Sequence, residues 1–231
     1  MEPALIVALD VPTLKKMEAA LERLPDSIEW YKVGLELFCA EGPAVLEPLK
    51  KRNKKIFLDL KLHDIPHTVA CAVKTAASHG VNMMTVHAIG GRAMLEAAAK
   101  AASECDNPPK LVAVTTLTSL SQDDFIDLGI DRTVSDQALA LGELAISSGI
   151  DGMVTSAHEA GALRAKFEEA LLVTPGIRMP DGDVGDQKRV ATPAFAVQQG
   201  SSHLVVGRPI MQADNPIEIT ASILADIKNA P

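Results

Sequence analysis

The sequence predicts a single (β/α)8 barrel of the TIM type, and three observations carry that prediction. Short β-rich runs alternate with helical stretches from end to end of the 231-residue chain. The β-rich runs number eight. No Pro/Gly/Ser-rich linker divides the chain, and no self-similar repeat of roughly 20–50 residues is present. Strands that alternate with helices imply parallel pairing through helical crossovers, and eight strands close such a barrel. The length also suits one domain, since this architecture commonly takes about 250 residues.

In chain order, strands are expected at residues 4–9, 29–33, 56–60, 83–86, 111–115, 152–155, 171–174 and 203–206. Helices are expected between them, among them 13–24, 66–79, 92–103 and 134–148. Hydrophobic residues make up 47% of the chain but aromatics only 3%, so Val, Ile, Leu and Ala must fill the core. Residues 175–189, PGIRMPDGDVGDQKR, stand apart, with no periodicity and a high content of glycine and proline. A loop this long within a compact domain is usually functional, often as a lid. It follows a strand and is expected at the C-terminal face of the barrel.

Composition narrows the function classes. The formal net charge is −8. A nucleic-acid binder presents a basic face to the phosphates. Here the basic runs are no longer than Lys50-Lys-Arg52 and Lys54-Lys55, which read as solvated charges at a helix end. Neither nucleic acid nor an anionic membrane is expected as a partner. The three cysteines, Cys39, Cys71 and Cys105, are odd in number and widely spaced. They outline no disulfide framework or zinc site and read as reduced thiols of a cytoplasmic protein. The opening Met1-Glu-Pro-Ala-Leu-Ile-Val has no basic n-region, so no secretory leader is expected. The apolar runs are too short to span a bilayer.

Barrel active sites form at the C-terminal strand ends. The first strand ends at Asp10, the second contains Lys32, and the third carries Asp59 and Lys61. Strand side chains alternate between faces. Ile56, Leu58, Leu60 and Leu62 therefore form an aliphatic face for the helices, and Phe57, Asp59 and Lys61 point into the barrel. By the same alternation Asp10 lies opposite Leu5, Val7 and Leu9, and Lys32 shares its face with Trp30 and Gly34. Asp10, Lys32, Asp59 and Lys61 converge at one rim, with Asp64 a turn later. A structural salt-bridge network is the competing reading. Burying charges costs several kcal/mol per ion, often unrecovered as stability, which favours a catalytic array.

Other strand ends add candidates. Thr115-Thr-Leu-Thr-Ser119 follows the fifth strand with several hydroxyls, for which helix capping and ligand contact are equally open readings. Gly207-Arg-Pro209 follows the eighth strand, where barrels frequently bind phosphate. Arg208 would clamp the anion with help from the Gly207 amide. His63, His67, His79, His87, His158 and His203 form no metal set, and no dinucleotide, P-loop or nucleophile-elbow motif is present.

These residues resemble a known family. Phe57-Leu-Asp-Leu-Lys-Leu-His-Asp-Ile-Pro-His-Thr68 is similar to the signature of the orotidine 5′-phosphate decarboxylases of bacterial type. The resemblance extends over nearly the whole chain. It takes in Ala8-Leu-Asp10, Tyr31-Lys-Val-Gly34, Val86-His-Ala88, Val114-Thr-Thr-Leu-Thr-Ser119, Val173-Thr-Pro-Gly-Ile-Arg178, Gly185-Asp-Gln187 and Val206-Gly-Arg-Pro209. It implies conversion of orotidine 5′-monophosphate to UMP and CO2 with neither a metal nor an organic cofactor. It implies a catalytic array of Lys32, Asp59, Lys61 and Asp64, with Asp10 and Lys32 on the ribose hydroxyls. It also implies a homodimer whose sites share Asp64, Ile65 and Thr68 across the interface. Thr118 would contact the pyrimidine, with Ser119 the alternative. Arg178, Gln187, Gly207 and Arg208 would bind the substrate, chiefly its phosphate, under a lid at 175–189.

The chemistry suits these residues. Loss of CO2 leaves a carbanion at C6 of the pyrimidine with little resonance help. A fixed ammonium, Lys61, would stabilise that charge and then deliver a proton. Flanking carboxylates favour its charged form. Three other functions fit these residues less well. A metal-dependent sugar-phosphate decarboxylase or aldolase wants a carboxylate where Lys32 stands. A Schiff-base aldolase needs a neutral lysine. A non-catalytic phospholigand-binding barrel would explain Arg208 but not the charged array.

Overall fold

Eight parallel strands close into a barrel in sequence order, β1 through β8, with β8 hydrogen-bonded back to β1. The structure is a computed structural model and describes residues 3–179 and 190–230. The strands are β1 (Ala4–Ala8), β2 (Trp30–Gly34), β3 (Lys55–Leu62), β4 (Met83–His87), β5 (Lys110–Val114), β6 (Gly152–Val154), β7 (Leu171–Thr174) and β8 (His203–Val206). The helices are α1 (Leu14–Arg23), α2 (Leu35–Glu41), α3 (Glu47–Lys51), α4 (Pro66–Ser78), α5 (Arg92–Ser103), α6 (Gln122–Asp127), α7 (Val134–Ser147), α8 (Ala157–Lys166), α9 (Pro193–Gln198), α10 (Arg208–Met211) and α11 (Pro216–Asn229). The expected barrel is thus present, and all eight expected strands are found. Lys55 begins β3 and pairs with Glu29 at 2.9 Å, so the second basic run is not wholly a helix end.

Two apolar layers explain why the strands read as they do. Ile6, Ala8, Phe57, Met83, Val112, Leu171, Val173 and Val205 pack together inside the barrel. Their neighbours one residue away, such as Val7, Leu58, Met84, Leu204 and Val206, join the layer beneath the helices. Strands buried on both faces are continuously apolar. Each such side chain contributes about 1.5–3 kcal/mol when fully buried. The helices meet this layer with residues three or four apart, as Met17 and Leu21 do on α1 and Val69, Val73 and Ala76 on α4. Side-chain caps start several of them: Thr13, Thr133 and Thr192 each accept a backbone N–H three residues on.

β3 departs from regular geometry where the site lies. Leu58 pairs with Met84, but the next pair is Leu62 with Val86, so β3 bulges between them. Lys61, at the bulge, has φ +50°. That left-handed backbone costs an ordinary residue about 1–2 kcal/mol. No helix among the described residues is long and apolar enough to cross a membrane.

Candidate active site

Strand register brings the charged residues to one rim. Ala8 of β1 aligns with Lys32 of β2, and Gly34 of β2 aligns with Asp59 of β3. Asp10 leaves the end of β1 beside them. The Lys32 ammonium lies 2.8 Å from Asp10 Oδ1 and 3.7 Å from Asp59 Oδ2. The Lys61 ammonium lies 2.9 Å from Asp59 Oδ1. The result is an alternating row, Asp10–Lys32–Asp59–Lys61. Side-chain exposure along it is 55%, 11%, 14% and 32%, so the inner pair is nearly dry and the ends meet solvent. In that setting the ion pairs are strong and their geometry is fixed.

Two small residues make room for the row or tie it down. A Cβ on Gly34 would stand 2.8 Å from Lys32 Nζ and 3.2 Å from Asp10 Oδ1. Thr85 Oγ1, on β4, accepts the Lys61 backbone N–H at 2.7 Å and donates to Asp59 Oδ1 at 3.1 Å. From the sequence Gly34 is only a face-mate of Lys32, and Thr85 is one residue of an apolar strand. A lone hydroxyl on the inward face of the apolar run Met83-Met-Thr-Val86 was the available signal for Thr85.

The row forms one wall of a cavity of about 350 Å3 at the C-terminal strand ends. Roughly 300–1,000 Å3 is usual for small-molecule sites. Thr118, Arg178, Gly207 and Arg208 line the same cavity. Thr116 and Ser119 line it too. Arg178 is buried; its guanidinium donates to the Ile177 carbonyl at 2.8 Å and its backbone N–H to Ala191 at 2.9 Å. Gln187, and residues 180–189 of the expected lid, lie outside the described residues.

Asp64, Ile65 and Thr68 are not brought to this cavity. All three are exposed at the start of α4, and the Asp64 carboxylate accepts the Ile65 N–H at 2.6 Å. Ile65 is 66% exposed, and Leu35, at the start of α2, and Ile89, just after β4, are 51% exposed each. His87 stacks on His63 with ring centroids 5.5 Å apart. Burial holds the His87 pKa below its usual value, helped by the charges of His63 and Lys61, so the ring favours its neutral form. Among the described residues no group of three or more His, Cys, Asp or Glu is placed to hold a metal ion.

A parallel eight-stranded barrel with paired carboxylates and ammonium groups around a cavity at its C-terminal rim defines a (β/α)8 barrel enzyme. Its relatives narrow the class. The family model for orotidine 5′-phosphate decarboxylase / HUMPS proteins matches residues 3–223, and the chain belongs to that family. It is 47% identical to an orotidine 5′-phosphate decarboxylase of Hydrogenovibrio crunogenus over 98% of this chain and 96% of that protein. It is 49% identical to one of a Marinomonas species over 96% of each chain. The crystal structure of an orotidine 5′-phosphate decarboxylase from Lactobacillus acidophilus superposes with a TM-score of 0.85 at 38% identity, over 98% of this chain and 99% of that one.

Proposed function

We propose that the protein decarboxylates orotidine 5′-monophosphate to UMP in pyrimidine biosynthesis, without a metal or organic cofactor. The observation that carries this reading is the Lys61 ammonium, held 2.9 Å from Asp59 on the wall of the cavity. The C6–carboxylate bond breaks, CO2 departs, and the electron pair remains on C6. Lys61 stabilises that charge and transfers its proton to C6, giving UMP; solvent then restores the ammonium. Charge arranged in advance lowers the barrier because little must reorganise during the reaction.

The other residues divide the binding. Asp10 and Lys32 hold the ribose hydroxyls, and Asp59 orients Lys61. Thr118 meets the pyrimidine. Arg178, Gly207 and Arg208 take the phosphate, far from the breaking bond, and Gln187 is assigned to the same task from its motif alone. Binding energy spent on the phosphate is thereby available to order the site around the reacting carbon. Asp64, Ile65 and Thr68 serve the site of a second copy in a homodimer. Their exposure supports that assignment, as does the exposure of the apolar Leu35 and Ile89, which follow the neighbouring strands β2 and β4. A divalent ion would need the space between Asp10 and Asp59, where Lys32 Nζ stands.

The test is incubation of the purified protein with orotidine 5′-monophosphate in EDTA while orotate absorbance is followed. Absorbance is expected to fall at the same rate with and without Mg2+. No fall, or a fall that needs Mg2+, overturns the proposal.

A further inference from the structure

Thr85 takes no part in the chemistry above, yet its hydroxyl joins two residues that do. It lies on β4 with its side chain inside the barrel and is 0% exposed. The Lys61 backbone N–H donates to its Oγ1 at 2.7 Å. A backbone N–H can only donate, so the hydroxyl accepts there, and its own proton goes to Asp59 Oδ1 at 3.1 Å. The same Asp59 oxygen receives the Lys61 ammonium at 2.9 Å. Both ends of Lys61, backbone and Nζ, are thereby referred to one carboxylate oxygen.

The bulge explains why this hydroxyl matters. β3 advances from Leu58 to Leu62 while β4 advances only from Met84 to Val86. Regular pairing is therefore interrupted beside Lys61, and Thr85 supplies an acceptor for its N–H. Lys61 also holds φ +50°, a conformation that non-glycine residues keep only where the surroundings over-determine it. Valine would fill the same space inside the barrel. It would leave the Lys61 N–H without its acceptor and Asp59 Oδ1 without one of its two donors.

Resting on the decarboxylase reading, we propose that Thr85 is a positioning residue whose hydroxyl clamps the bulged Lys61 backbone to the Asp59 carboxylate and so sets where the ammonium stands. It touches no substrate. Its effect falls on turnover, because a misplaced ammonium stabilises the carbanion poorly while the ribose and phosphate contacts remain.

The experiment compares wild type, Thr85→Val and Thr85→Ser as full-length protein with orotidine 5′-monophosphate in EDTA, and follows exchange of the Lys61 amide hydrogen in each. Thr85→Val is expected to lower kcat roughly 100-fold with KM little changed, the scale of a displacement of about 1 Å in a reacting group. Its Lys61 amide is expected to exchange faster, and Thr85→Ser to restore both properties. If Thr85→Val does not fold, Thr85→Ser and Thr85→Ala replace the comparison, since they lose the same methyl group and differ by the hydroxyl. Folded Thr85→Val, or Thr85→Ala in its place, with kcat within about twofold of its hydroxyl-bearing counterpart overturns the clamp, because a merely structural threonine affects melting and not turnover. An inactive wild type overturns the decarboxylase reading instead, so the two failures are told apart.

Discussion

Lys32 Nζ lies 2.8 Å from the position a Cβ on Gly34 would occupy. The contact is too close for any real Cβ, and the ammonium is the end of a flexible chain, but here that end is held by Asp10 and Asp59. Gly34→Ala is expected to fold and to push Lys32 off its pairs, lowering kcat/KM about 10- to 100-fold. Steady-state kinetics beside a thermal melt check it; wild-type kinetics in a folded variant would show that the row tolerates the shift.

Arg208 follows β8 and lines the cavity. Losing a charged hydrogen-bond donor to a phosphate costs about 1.5–3 kcal/mol. Arg208→Ala is expected to weaken UMP binding about 10- to 100-fold by titration calorimetry. A variant that binds UMP as tightly as wild type removes Arg208 from the phosphate site.

The shared-site reading makes a mixing prediction. Lys61→Ala and Asp64→Asn proteins should each be nearly inactive alone. A hybrid dimer carries one site with both residues intact, so an equal mixture should recover about a quarter of wild-type activity after random subunit exchange. No recovery, with exchange verified by mass spectrometry, places both residues in the same subunit's site.

His203 sits at the start of β8, 7% exposed, with Nδ1 3.0 Å from Ser202 Oγ and its ring edge-on to Trp30. Burial, with a smaller push from Lys55, lowers its pKa from 6.5 to about 4. The unfolded chain therefore takes up this proton first as the pH falls. The contribution of the neutral ring is complete above 6.5 and is lost as the pH drops from there through about 4. Up to about 3 kcal/mol is at stake. Urea unfolding at several pH values should show the loss in wild type and a flatter profile in His203→Gln; parallel profiles would assign the acid lability elsewhere.

Local pattern reached far into this fold. The strands 171–174 and 203–206 and the helix 92–103 have the bounds the sequence suggested, because apolar runs and helical periodicity are properties of neighbouring residues. The inward direction of Asp59 followed from two-residue alternation. That alternation ends at the bulge, and Lys61 reaches Asp59 through a left-handed backbone that no local rule foretells.

The sequence by itself determined the barrel, the four charged residues at its rim and the family they belong to, since each rests on residue type and spacing along one chain. The tertiary structure alone decided that Lys32 stands between Asp10 and Asp59, that Gly34 leaves the room for it, and that Thr85 on the next strand ties down Lys61. It also decided that Asp64 is exposed and does not line that cavity. Those relations depend on the register between strands, which is set when the closed sheet packs both its faces at once.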